Sequence, residues 1–392
     1  LKKIQFFLAV RYPLSILVLP LRLKEGHQTI FFSFSNLFLM QAPRYTATPT
    51  FYNDLRSRVN QYFTEKKALP TGNWRLYSKA IFLIAAHITI YVTLVFFTPI
   101  WWISLPLCAI LGFLTAGIGF NVMHDGGHGS FSTSKILNRA AAFSLNVLGG
   151  SDFMWNIKHN VIHHSFTNVD GVDDDIDVNP FLRMCKTQTH RWFHRFQHLY
   201  FGVLYAIMYL FWMFYLDYRK YFRGYIGVVE IKGMKPHQHF VFWGSKFLSY
   251  FIFIIVPIWV VGLVPALIGF SVFVTVTGFV ISIIFQLAHT VEHTDFPMPA
   301  EDGKMENEWA IHQVQTTANF ATHSWLVTWF CGGLNFQIEH HLFPKVSHIH
   351  YPAISRIVRN ACKEYGINYV EFPRVTSAVA SHYRLLRNLS HA

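Results

Sequence analysis

Charge is what this chain has least of. Asp, Glu, Lys and Arg together make up only 14% of its 392 residues, far below the quarter usual in soluble domains. They are missing altogether from Ala80 to His124 and again from Phe247 to Val291. Gaps of that length exclude an ordinary soluble architecture, in which a surface helix keeps a polar face throughout. They also exclude an ion channel or ion transporter, whose path needs polar or ionisable groups within the spans. Cysteine is almost as scarce. Cys108, Cys185, Cys331 and Cys362 show no paired spacing, so neither a disulfide framework nor a thiolate metal site is indicated, and free thiols in a reducing compartment are expected. Low-complexity tracts are lacking too, and nothing repeats except the two apolar runs themselves.

What is abundant is apolar and aromatic. Aromatics reach 17%, mean hydropathy is +0.28, and the apolar residues are bunched in runs, which reads as an all-α integral membrane protein. Each charge-free run is roughly 45 residues long, enough for about two bilayer spans joined by a tight turn. The first turn is expected between Phe97 and Pro106, where Trp101 and Trp102 suit an interface, and the second at Gly262 to Pro265. Four transmembrane helices in two hairpins follow, at about 80–98, 102–122, 242–261 and 265–288. Both outer turns lack Lys and Arg, whereas Lys66, Lys67, Arg75 and Lys79 precede the first hairpin and about a dozen basic residues lie between the two. The positive-inside rule therefore puts both termini on the cytoplasmic side. The net charge of +12 is read the same way, as a basic membrane face and not as a nucleic-acid surface.

The remaining segments are soluble or interfacial. Residues 1–39 carry short apolar bursts interrupted by Arg11, Arg22, Lys24 and Glu25, and are expected to be a non-native or disordered extension, with translation starting at Met40. Residues 40–78 form a cytosolic segment with an amphipathic helix from Phe51 to Phe63 and a turn at Pro70-Thr71-Gly72. Residues 79–353 form the main domain. Within it, Ala140 to Gly150 and Tyr200 to Tyr215 read as interfacial or docked helices, a spanning reading of the second being the alternative. An acidic loop, Glu301 to Glu308, and an apolar stretch, Trp325 to Leu334, follow the second hairpin. Residues 354–392 are a cytosolic tail, entered by a helix that begins at Pro352 and stops at Gly366.

Chemistry is concentrated in histidine. His124 and His128, then His159, His163 and His164, then His340 and His341 form three clusters with spacings i,i+4 and i,i+4,i+5, which put imidazoles on one helical face. Neutral imidazole is the commonest protein metal ligand and suits zinc, copper and iron. Seven such residues exceed the needs of one tetrahedral ion, so two metals held between several helices are expected. His289 stands alone at the end of the second hairpin, beside this site, and joins the candidate ligands. His293 and Glu292 are expected to be structural. His190, His194 and His198 alternate with Arg191 and Arg195 and read as a solvated or headgroup-facing row. His312, His323, His348 and His350 lack ligand spacing, and His87 is expected to be hydrogen-bonded in the core. Asp173, Asp175 and Asp177 mimic the start of an EF-hand, but Val178 and Met184 stand where glycine and glutamate belong; capping a helix or bonding to the ligand shell is expected instead.

The series HDGGH, HNVIHH and QIEHH, set around two membrane hairpins, resembles the membrane fatty acid desaturases from about Gly72 to Ala353. Gln337, in place of the first histidine of the third box, is similar to the front-end members, which insert a double bond between an existing one and the carboxyl end. Gly72-Asn73-Trp74-Arg75-Leu76-Tyr77, Thr167-Asn168 and His340-His341-Leu342-Phe343-Pro344 resemble bacterial acyl-CoA or linoleoyl-CoA desaturases. The resemblance implies a di-iron centre in a cytosolic helical cap, O2 as co-substrate, and an acyl-CoA or lipid-linked fatty acid as substrate in a bacterial inner membrane. His124, His128, His159, His163, His164, His289, His340 and His341 would be the ligands. Gln337 would be a weak ligand or a donor just outside them, with Asp125 and Asn160 in the surrounding layer. The HPGG haem motif of fused cytochrome b5 domains is absent, so a separate ferredoxin or cytochrome b5 would supply electrons. Other chemistries for the same residues are a di-iron hydroxylase or ketolase, a membrane zinc hydrolase, and a metal-binding lipid carrier without turnover.

Overall fold

The computed structural model describes residues 42–231 and 233–391. The expectations for residues 1–39 and for a start at Met40 lie outside them. The described chain is mostly helical, and its only strands there are three two-residue ladders: Arg44–Tyr45 with Lys304–Met305, Asn319–Phe320 with Glu371–Phe372, and Tyr225–Ile226 with Val229–Glu230.

Helix α1 (Thr50–Lys66) buries Phe51, Leu55, Val59 and Phe63, one residue every four, which is the single stripe its sequence dictates. Helix α2 (Trp74–Phe97) starts where the Asn73 side chain accepts the Arg75 N–H at 3.0 Å, relieving one orphan donor of its first turn. It ends at Thr98, and α3 (Trp101–His128) returns. Helix α4 (Lys135–Val147) and α5 (residues 152–166) follow. Then come α6 (Trp192–Arg223), α7 (Pro236–Val261) and α8 (Leu263–His289), the last two joined at Gly262, whose φ of 90° a side chain would resist. The cap is completed by α9 (Trp309–Gln315), α10 (Trp325–Phe330), α11 (Gln337–Leu342), α12 (Tyr351–Glu364) and α13 (Val375–Leu389).

Both hairpins turn within the expected segments, but their helices run further than the expected 80–98, 102–122, 242–261 and 265–288. The histidines at 124, 128 and 289 ride on the C-terminal ends of α3 and α8 without a break in the helix. One count differs. Five helices among the described residues are long and apolar enough to cross a membrane, not four, the additional one being α6 with 32 residues. The sequence suggested a shorter element because Arg191, Arg195, Asp217 and Arg219 flank its apolar centre. In the structure Asp217 is 2% exposed and bonded to the buried Lys246 at 2.7 Å, so its charge is matched internally and does not end the helix. The C-terminal tail also holds a second helix, α13, beyond the one expected from Pro352.

The cap core joins distant segments. The buried stripe of α1 packs with Ile338 and Leu342 of α11 and with Ile354, Val358 and Ala361 of α12. At about 1.5–3 kcal/mol per fully buried large apolar side chain, this cluster fixes the short α11, which six residues could not do alone.

Candidate metal centre

Two of the three histidine clusters arrive on helices whose winding departs from the ordinary α-helix, the third riding on the ordinary α-helix α11. Residues Gly119–Met123, just before His124, form a π-helical turn, and Asn156–His163 are π-helical throughout. Such wider turns occur mostly at functional sites. In the second cluster the wider winding brings the fifth neighbour onto the same face, with His159 Nε2 and His164 Nε2 3.3 Å apart. Gly127 allows the close approach of α5 to α3, since a Cβ there would lie 2.3 Å from the indole of Trp155.

The eight expected histidines converge. His124, His128, His159 and His340 each place a ring nitrogen within 4.8 Å of one another, as do His163, His289 and His341, while His164 forms a third group with His340 and His341. All eight are between 0 and 9% exposed. The decisive detail is which nitrogens have partners. His163 Nδ1 donates to Asp173 at 2.9 Å, His341 Nδ1 to the Gln313 side-chain oxygen at 2.7 Å and His289 Nδ1 to the Thr316 carbonyl at 3.4 Å, since these partners accept. His340 Nδ1 meets the Tyr351 hydroxyl at 3.1 Å. Pointing inward, Nε2 of His124, His128, His163, His340 and His341 is buried without a hydrogen bond. Five such buried acceptors would be costly if nothing met them, and outward Nδ1–H bonds with inward Nε2 are the pattern of metal-ligating histidine. The residues fit metal.

Burial also sets protonation. It presses His159 down to about 4, against the pull of Asp175, and holds His164, His340 and His341 well below the usual histidine value, helped by their mutual repulsion. They are therefore neutral and able to ligate at physiological pH. His163 is displaced upward because Asp173 and Asp175 outweigh its burial.

The other expected residues lie one layer out. Asp125 faces away from the imidazoles, taking the Ser347 hydroxyl at 2.7 Å and lying 3.0 Å from His348 Nδ1. Asn160 donates to the Gly127 carbonyl at 2.9 Å, tying α5 to α3. The Gln337 amide sits 2.9 Å from His289 Nε2, its oxygen buried and unpartnered. The acidic loop meets the ligand shell through Asp173 and Asp175, Asp175 pairing also with Lys158. His87 bonds to Thr115 at 3.0 Å inside the membrane bundle, and His312 to the Thr167 carbonyl at 2.9 Å. The row at 190, 194 and 198 does not form a ligand set, but it is not simply solvated either: His194 is fully buried against the Pro180 carbonyl at 2.8 Å. Sequence reasoning missed Gln313, Tyr351 and Lys79. Lys79 is buried, with its ammonium 2.8 Å from His348 Nε2. A lysine inside the first apolar helix was the one visible signal among these three.

Comparison with known proteins gives the setting. Residues 100–373 match the fatty acid desaturase family model. The chain is 37% identical over 344 residues to an acyl-lipid (8-3)-desaturase of Physcomitrium patens, covering 86% of this chain and 71% of that one. It is 34% identical over 351 residues to an sn-1 linoleoyl-lipid 6-desaturase of Synechocystis, covering 89% and 98%. The corresponding figures for an sn-1 linoleoyl-lipid 6-desaturase of Arthrospira platensis are 33% over 342 residues, 87% and 92%. With three histidine boxes brought to one buried site at the ends of apolar helices, this membrane protein belongs to the fatty acid desaturase family.

Proposed function

We propose that the protein is a front-end desaturase acting on a lipid-linked acyl chain, with O2 as oxidant, at two irons held by His124, His128, His159, His163, His164, His289, His340 and His341. The observation that carries this reading is the set of buried, inward, unpartnered imidazole nitrogens in adjoining groups, with His164 linking them through His340 and His341. The relatives named acyl-lipid or linoleoyl-lipid desaturases favour a lipid carrier over a CoA thioester.

Iron bound there would supply reductive activation of O2 and removal of hydrogen from an unactivated methylene, with electrons from a separate ferredoxin or cytochrome b5-type donor. The chain itself contributes geometry and dryness. Asp173, Gln313, Thr316 and Tyr351 hold four imidazoles in one tautomer and one orientation. Burial of all eight rings keeps bulk water from the reacting methylene.

The membrane arrangement is part of the same proposal. Helices α2, α3, α7 and α8 cross, and the histidines lie on the cytoplasmic face. Helix α6 docks without crossing: Gln197 near its start donates to the Leu386 carbonyl of the cap helix α13 at 2.9 Å, and Tyr221 near its end bonds to His239 in the first turns of α7 at 2.7 Å. Both ends thus meet elements on the histidine side.

The test is fatty-acid methyl-ester profiling of a host expressing the chain and fed linoleate, beside His163→Ala, with iron measured in the purified protein. A new polyunsaturated ester that needs His163, and about two irons per chain, is the expected result. A product carrying oxygen in place of a new alkene, or zinc as the resident metal, would overturn it.

A further inference from the structure

A cleft of about 350 Å³ lies between α4 and the first turns of α7, beside the end of α3, within the size range of small-ligand sites. The apolar part of its lining is Met123, Phe143, Val241 and Phe242, beside the indole of Trp155, with Ser151, Asn156 and Gln238 as its neutral polar part. That indole stacks over His159 with ring centroids 4.6 Å apart and stands edge-on to His128 at 5.6 Å. One aromatic ring therefore separates the cleft from the four-histidine group.

The mouth has the opposite character. Arg139 on α4 and His237 on α7 line it, and among the described residues neither has a hydrogen bond or an ion pair. The one carboxylate in the lining, Asp152, is already engaged, accepting the Phe153 N–H at 2.7 Å in the first turn of α5. Flanking the mouth, Ile136 on α4 and Phe240 on α7 are 80% and 79% exposed. A free guanidinium over an apolar trough, with large apolar side chains on either side, matches an amphiphile that arrives from the bilayer and not from solution. An exposed apolar side chain beside the opening is suited to lipid tails, and Arg139 and His237 stand where the apolar parts of α3 and α7 end, at headgroup height. Arginine also presents a planar fork that fits two phosphate oxygens.

We propose that this cleft is the lateral entrance for a glycerophospholipid substrate, its phosphodiester held by Arg139 and His237 and its acyl chain laid along the apolar wall toward Trp155. This rests on the desaturase reading above and adds the headgroup class and the port.

The experiment uses the full chain in nanodiscs with three photoreactive probes of equal acyl length: a phosphatidylcholine, an uncharged galactolipid and a soluble acyl-CoA. The phosphatidylcholine should label peptides within residues 135–156 and 236–243. Labelling should fall severalfold in Arg139→Ala and recover in Arg139→Lys. In turnover, Arg139→Ala should raise KM for phosphatidylcholine about tenfold while kcat moves less than about twofold, with KM for the galactolipid nearly unmoved. Labelling elsewhere, equal losses on the galactolipid, or labelling of the cleft by acyl-CoA alone would overturn the proposal. Labelling needs no turnover, so the two readings fail separately. A labelled cleft with no alkene formed from any lipid refutes the desaturase, whereas alkene formation without cleft labelling refutes only the port.

Discussion

The two histidine groups are built on different terms. The first gathers four imidazoles, His124, His128, His159 and His340, yet only His340 among them has a close outward partner, the Tyr351 hydroxyl, while Asp175 stays 3.9 Å from His159. The second gathers three, His163, His289 and His341, and each has its Nδ1–H on an acceptor: a carboxylate, a backbone carbonyl and an amide oxygen. Beside His289 in the second group stands the Gln337 amide, a weaker donor than imidazole, while His164 lies next to His341 in a group shared with His340. Under the di-iron reading proposed above, the difference predicts that ligand support can stand in for ligand number to a degree, outer partners fixing ring orientation and raising ring basicity.

Removing one ring from each group breaks the comparison most severely. His341→Ala leaves two imidazoles in a group of three, whereas His128→Ala leaves three in a group of four. Activity should fall by at least about a hundredfold in both, as expected for loss of a metal ligand. Metal content should separate them: His341→Ala loses about one ion per chain under dialysis, while His128→Ala retains most of its metal. Equal retention would show that ligand number does not govern the two groups as argued.

Outer support is the next level. Asp173→Asn keeps the shape beside His163 but removes the charge, and should weaken metal binding by about 10–100-fold in a chelator competition. Tyr351→Phe, which takes a neutral partner from His340, should cost only about two- to tenfold, the range of one ordinary hydrogen bond. The reverse ranking would mean that the four-histidine group depends on its support more than the three-histidine group does.

How much of this was legible beforehand follows from distance along the chain. The hairpins were readable because a charge-free run is a local property, and the histidine rows at 124 and 128 or 159, 163 and 164 because helical spacing is local too. What supports them is not. Asp173, Gln313 and Tyr351 reach their histidines from ten to 28 residues away, across turns whose geometry no periodicity encodes. Helix α6 was read short because Asp217 looked like a terminus, and its partner Lys246 lies 29 residues on. The π-helical winding of 156–163 left no mark in the residue pattern either; ordinary α spacing predicted the shared face, but not that the fifth neighbour would come within 3.3 Å.

The smallest effect on the metal, and the sharpest test of where the second group is anchored, belongs to His382. Buried in α13, its Nδ1 donates to the Thr290 carbonyl and its Nε2 receives the Tyr205 hydroxyl at 2.8 Å, pinning the end of α8 next to His289. Burial, only partly offset by the Thr290 carbonyl, lowers it from 6.5 to about 4. Between those values the unfolded chain takes up a proton that the folded chain refuses. Its contribution to stability is therefore full above about pH 6.5 and is lost as pH falls toward 4, to a limit of about 3 kcal/mol for 2.5 units. The histidines of the site other than His163, also held neutral by burial, impose an acid sensitivity of their own, so the wild type alone cannot reveal this contribution. His382→Gln retains that background and lacks the one titration. Thermal unfolding in detergent at pH 7.5 and 5.5 should show a smaller drop for the variant than for the wild type, with metal content at pH 7.5 unchanged in both. A parallel drop in the two proteins would remove His382 from the acid response. Metal loss confined to the His289 group would instead make α13 a working part of the second site, and the contrast between the two groups would then extend to the end of the chain.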